Sequence, residues 1–148
     1  MRKMRWLGLA AMVFAPLAMA QASPEKVITQ HGASFISGGV GIDSEERLKA
    51  REKEFNLKLV FILVEGNYLA DIAVAIKDAK GKAVIEHVAD GPFLMVRLPA
   101  GAYVVTATHD GAVHTRKVAV RNERLRTEYL RWPSKRGIDF PLPPESRR

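Results

Sequence analysis

The sequence predicts a mainly β protein, an antiparallel seven-stranded β-sandwich preceded by one short helix. Three observations predict it. Apolar and polar residues alternate with a period of two in successive stretches between Asn56 and Trp132; turn-forming residues interrupt those stretches at regular intervals; and the chain has no cysteine. Period-two runs separated by evenly spaced turns are the pattern of an antiparallel sandwich. Without disulfides or thiolate metal sites, burial of apolar side chains must hold the domain together.

The N-terminal segment precedes that domain and has a different logic. Arg2, Lys3 and Arg5 form a basic start, Trp6 to Leu17 an apolar run, and Ala18-Met19-Ala20 a small-residue end. This is the order of a cleavable signal peptide, and cleavage is expected after Ala20. The alternative, a retained membrane anchor, is disfavoured because the apolar run is shorter than the ~20 residues that cross a bilayer. No cysteine is present to carry a lipid and no adjacent arginine pair marks the twin-arginine route. The expected product is periplasmic or secreted, with no transmembrane anchor after cleavage.

Residues 21–55 read as a lead-in. Gln21 to Ser34 is polar and without a clear period, with a short strand expected near Phe35 and Ile36. Ser37-Gly38-Gly39-Val40-Gly41 lacks the Gly-Lys-Ser/Thr ending that reaches nucleotide phosphates, so it reads as a turn. Asp43 and Glu46 have capping-box spacing, and Asp43 to Glu54 is rich in helix formers. A helix is expected there, lying on the surface, because only Leu48 and Phe55 offer large apolar side chains to dock it.

Residues 56–132 carry the expected sandwich. Leu57, Leu59, Phe61 and Leu63 share one face of a strand whose other face is also apolar enough for a central position. Ile72, Val74 and Ile76 alternate with Asp71, Ala73, Ala75 and Lys77; Asp78-Ala79-Lys80-Gly81 then turns the chain into a partner strand from Lys82 to His87. Asp90-Gly91-Pro92 precedes a strand from Phe93 to Leu98, and Pro99-Ala100-Gly101 precedes one from Ala102 to His109. Asp110-Gly111 is the strongest hairpin signal in the chain and leads into Val113 to Val120. The last strand is expected from Arg124 to Trp132, with Leu125, Thr127 and Tyr129 inward and Arg124, Arg126 and Glu128 outward. Residues 133–148 hold four of the eight prolines and should be extended, with Pro141-Leu142-Pro143-Pro144 a conceivable polyproline ligand.

Leu98, Pro99, Gly101, Tyr103, Val105 and Ala107 form a Leu-Pro-x-Gly-x-Tyr-x-Val-x-Ala run. The run resembles the signature of carboxypeptidase regulatory-like domains, small prealbumin-like β-sandwiches. The surrounding chain is similar to a group of uncharacterised exported bacterial proteins. The resemblance implies a sandwich module, usually non-enzymatic, in which these six residues make the fold. The hydroxyisourate hydrolases share the prealbumin architecture but end in Tyr-Arg-Gly-Ser; the nearest stretch here, Lys135-Arg136-Gly137-Ile138, lacks both the tyrosine and the serine.

Charge points to one end of the molecule. The whole chain carries +7, and residues 112–148 hold ten basic against four acidic side chains, whereas residues 21–111 hold ten against twelve. The expected working surface is therefore Arg124, Arg126, Tyr129, Arg131 and Trp132, facing a protein or an anionic envelope component. Nucleic acid is excluded by the compartment. A second reading takes Tyr129, Arg131 and Trp132 as a carbohydrate or glycolipid platform, because aromatic rings stack on sugar faces and arginine donates in a fork. A third, least favoured, builds a metal-dependent hydrolytic enzyme on His109 and His114, which flank the Asp110-Gly111 turn; their spacing matches no metal motif, and solvent-facing hairpin residues are the simpler expectation. Serines 34, 37 and 44 lack the Gly-x-Ser-x-Gly elbow. The sequence thus predicts no catalytic residue, metal or cofactor, and leaves the oligomeric state open.

Overall fold

The computed structural model describes residues 24–134. The expected signal peptide, its cleavage site and the tail beyond Ser134 lie outside the described residues.

Among the described residues nine strands form two sheets. They are β1 (Ile28–Gln30), β2 (Ala33–Gly38), β3 (Leu57–Leu63), β4 (Ile72–Asp78), β5 (Ala83–Ala89), β6 (Phe93–Arg97), β7 (Gly101–His109), β8 (Ala112–Val120) and β9 (Arg126–Trp132), with helix α1 (Ile42–Ala50) between β2 and β3. The first sheet has the order β1-β2-β6-β3-β9 and the second β5-β4-β7-β8. The expected count of seven is corrected by two strands from the lead-in. A turn at His31-Gly32, both at positive φ, folds Ile28–Gln30 back on Ala33–Phe35, and β2 then pairs with β6. The lead-in is thus part of the first sheet.

One pairing departs from the antiparallel expectation. β9 runs parallel to β3, from Leu57 opposite Arg126 to Leu63 opposite Trp132. The cause is the route of the chain: β7 and β8 form a hairpin in the second sheet, and residues 121–125 cross to the first. A strand arriving by a crossing has its direction set by that crossing.

The core lies between the sheets. Phe35, Leu57, Leu59, Phe61, Leu94 and Val96 from the first sheet meet Ile72, Ile76, Ile85, Val105 and Ala107 from the second. The signature residues Leu98, Tyr103, Val105 and Ala107 are buried, and Pro99 and Gly101 are exposed at the crossing between β6 and β7. The Tyr103 hydroxyl donates to the Pro99 carbonyl at 2.7 Å, tying strand to crossing; burial, with Asp78 nearby, raises the phenol above its ordinary value. Asn56 is fully buried. Its amide donates to Leu98 O at 2.7 Å and accepts from Leu98 N–H at 2.9 Å, while its backbone bonds Val96 O and Arg126 N–H. One side chain therefore fixes the starts of β3 and β9 and the end of β6.

The outer face of the first sheet is also apolar, and α1 covers part of it through Leu48, which packs with Ile36, Phe55, Val60, Phe93 and Met95. The helix is anchored and does not simply lie on the surface. Its cap also differs from expectation: Gly41 occupies the N-cap, with no side-chain capping bond from Asp43. The Gly-rich segment instead serves close packing. A Cβ on Gly91 would lie 2.3 Å from the Gly38 carbonyl oxygen, so the approach of β6 to the end of β2 requires glycine there.

Candidate functional site

The crossing from β8 to β9 builds a basic cleft. Arg121 and Arg124 form an isolated antiparallel bridge around Asn122-Glu123, and the Arg97 guanidinium fixes that turn by donating to Asn122 O at 2.9 Å. The bridge sets Arg121 and Arg124 opposite one another. Together with Arg126, Leu125, Thr127 and Ala119 they line an open cleft of about 450 Å³. Arg126 is oriented by Glu128, with Nε at 2.6 Å from Oε1, and by Ala119 O at 3.5 Å. Neither Arg121 nor Arg124 joins an ion pair among the described residues. Converging guanidinium groups in a concave surface focus positive potential, and their planar forks match carboxylate and phosphate oxygens.

The five residues expected to form one surface are divided among three places. Arg124 and Arg126 lie in the basic cleft. Tyr129 and Arg131 stand at the other end of β9, on the outer face of the first sheet, with the guanidinium 5.1 Å from the ring centroid. Trp132 is 1% exposed and belongs to the core, its indole N–H donating to Ala112 O at 3.0 Å. The facing expected for β9 is corrected accordingly: Leu130 and Trp132 point inward beside Phe61 and Leu63, while Thr127 and Tyr129 are exposed. Sequence reasoning missed Arg121. Its signal was the Asn122-Glu123 pair, a two-residue turn that sets the flanking arginines opposite one another.

His109 and His114 do not face solvent as a pair. Both turn toward Trp132, with ring centroids 5.9 and 4.7 Å from the indole, and close one end of the sandwich. Among the described residues no three His, Asp or Glu side chains converge as metal ligands.

A larger open cleft, about 1210 Å³, lies between the N-terminal residues and α1. Glu25 crosses it to accept two bonds from Arg47, each at 3.0 Å, and one from the Ser44 hydroxyl. The guanidinium and the hydroxyl hold the Glu25 carboxyl down, against the opposing effect of its burial, at a pKa of about 2. Beneath it the Ser37 hydroxyl lies 3.1 Å from His87 Nε2 and 3.3 Å from Asp90 Oδ2, and accepts the Asp90 N–H at 3.3 Å. An activated serine needs a base held by a third group. Here the carboxylate bonds the serine itself, and the His87 ring rests on Phe35 at 4.8 Å. The arrangement works as a strut between β2 and the end of β5.

Comparison with known families gives a match. The pattern of a family described as the Rhizobiales growth-associated tandem repeat domain matches residues 54–127, half of the chain. The chain belongs to that family. Comparison with curated proteins finds no match. The Rhizobiales growth-associated repeat unit in this chain starts just before β3 and ends as β9 begins. Arg121, Arg124 and Arg126 fall inside it. The larger cleft is lined almost wholly by residues that precede the unit, with Asp90 its one contribution.

Proposed function

We propose that this protein is an exported, non-catalytic binding module that holds an anionic component of the cell envelope. The observation that carries the reading is the basic cleft: two arginines of a pinned turn, in no ion pair among the described residues, line one concavity with Arg126 and Thr127. The signal-like N-terminus supports export, and the resemblance of Leu98 to Ala107 to prealbumin-like modules supports binding without turnover. The Ser37 hydroxyl, shared between His87 and Asp90, supports the same conclusion. The family's stated association with growth is in keeping with a role in the envelope.

Sedimentation with lipid vesicles tests this. The protein should co-sediment with vesicles containing phosphatidylglycerol at low salt, release at about 0.5 M salt where screening is short-ranged, and ignore vesicles of phosphatidylcholine alone. Arg121→Glu with Arg124→Glu should abolish the binding. Undiminished binding by that double variant ends the proposal.

A further inference from the structure

We infer that the outer face of the first sheet carries a second binding site, a platform for acidic glycans built from Tyr68, Tyr129 and Arg131. It is independent of the basic cleft. Pairing fixes the layout: Val60 lies opposite Tyr129 on one side and Phe93 on the other, and in the next row Ile62 lies between Arg131 and Tyr68. Paired residues on neighbouring strands project to the same face. The two rows therefore present Tyr129 and Arg131 along one border of β3 and Tyr68 along the other, roughly 10 Å apart as two strand spacings require.

Between them Val60, Ile62 and Phe93 are buried in the outer cluster with Leu48, so the aromatic surface open at this site is that of the two tyrosines. Tyr68 and Tyr129 are 53% and 49% exposed. The Tyr68 ring meets Phe93 edge-on at 5.2 Å, which fixes it beside the buried cluster. Each tyrosine has one part fixed by packing and one part open.

Three features select a sugar. Two half-exposed aromatic rings match the C–H faces of pyranoses, which bury apolar area without needing a deep pocket. Tyrosine hydroxyls at the rim supply hydrogen bonds, and neither phenol oxygen is bonded within the described residues. Arg131 adds charge complementarity. It stands over the Tyr129 ring, which orients the guanidinium, and it has no carboxylate partner among the described residues. A uronate carboxylate is the acceptor that this fork fits. Lys58, on the same face of β3, is committed to Glu52 at 2.5 Å and to the Phe93 ring.

Calorimetric titration of the purified protein with hexagalacturonate, cellohexaose and inorganic polyphosphate tests the site. Hexagalacturonate should bind more tightly than cellohexaose. Tyr68→Ala and Tyr129→Ala should each weaken it by roughly tenfold, as truncating an aromatic anchor does; Tyr129→Phe should keep most of the affinity, and Arg131→Gln should remove the preference over cellohexaose. Polyphosphate, a polyanion without sugar faces, should be insensitive to both tyrosine changes. The inference is overturned if hexagalacturonate does not bind, or if binding survives in the Tyr68→Ala/Tyr129→Ala double variant. It is equally overturned if Arg121→Glu/Arg124→Glu abolishes hexagalacturonate binding while the tyrosine variants do not, for the basic cleft would then be the only site. Circular dichroism of each variant separates loss of binding from loss of fold.

Discussion

Residues 24–53 and the repeat unit at 54–127 share the first sheet, yet they are held by different forces. The unit is held chiefly by apolar burial: Leu57, Leu59, Ile72, Ile76, Ile85, Leu94, Val96 and Val105 are all at or near zero exposure. Its one buried amide, Asn56, has every bond satisfied. The preceding segment contributes Ala33, Phe35, Ile36 and Leu48 to the cores, pairs β2 with β6, and otherwise attaches by polar side chains. Gln30 exchanges two bonds with the Glu86 backbone, at 3.2 and 3.0 Å, standing in for a strand that the outer edge of β5 lacks. The His31 ring reaches Val84 O at 3.3 Å. Glu25 clamps α1, and Ser37 joins β2 to the end of β5. Burial tolerates salt and pH, whereas hydrogen bonds and ion pairs near solvent respond to both. The difference teaches that the segment preceding the unit seals it and is the part that conditions can loosen.

Asn56→Leu would break that contrast most severely. It leaves the Leu98 N–H and carbonyl buried without partners, each unmet group costing about 1–3 kcal/mol. Chemical denaturation should show a loss of stability of that order, and an unchanged midpoint would show that packing alone holds the β6 crossing. Gln30→Ala sharpens the contrast with a smaller effect, about 1 kcal/mol for exposed bonds of this kind. Its signature is local: hydrogen exchange at the Glu86 amide should accelerate while amides of β3 and β7 keep their protection. Acceleration throughout the molecule would mean that the segment and the unit unfold as one.

The smallest effect at neutral pH is that of acid on Glu25. Its folded pKa is depressed from 4.5 to about 2, so the stabilisation is present above 4.5 and is lost as pH falls toward 2. Thermal unfolding of the natural protein should weaken across that window, and Glu25→Gln should flatten that part of the profile. An identical pH profile for the variant would assign the acid response to other carboxylates.

The alternation of the unit was legible in the sequence because one face of each strand meets the core and the other meets water. Ile72, Val74 and Ile76 and the run Tyr103, Val105 and Ala107 occupy the faces their pattern predicts. Asp110-Gly111 makes the hairpin turn, at φ 47 and 77. β9 was read out of phase because its apolar residues change parity. Leu125 packs at the outer cluster with Phe55, whereas Leu130 and Trp132 enter the core between the sheets. A strand that serves two apolar layers has no single alternation to read. The first hairpin was illegible for another reason: β1 is only three residues long and none of them is buried, so no alternation precedes the His31-Gly32 turn. Of the candidate sites, the arginines were legible as charge. Their convergence was not, because it depends on the bridge between Arg121 and Arg124; nor was Tyr68, which meets Tyr129's face of the sheet only through Ile62.

The parallel pairing of β9 with β3 has a consequence for the order in which the chain can fold. Leu57 meets Arg126 only after everything between them has been made. Until then one edge of β3 is open, although its other edge can already pair with β6. The loop that must close is long, and contacts so distant in sequence slow the rate-limiting step. The second sheet, made of neighbouring strands β4, β5, β7 and β8, is mostly local and can form first. Synthesis from the N-terminus therefore ends with the strand that completes the first sheet and delivers Trp132 to the core. The molecule remains an unfinished sheet until its last described strand arrives.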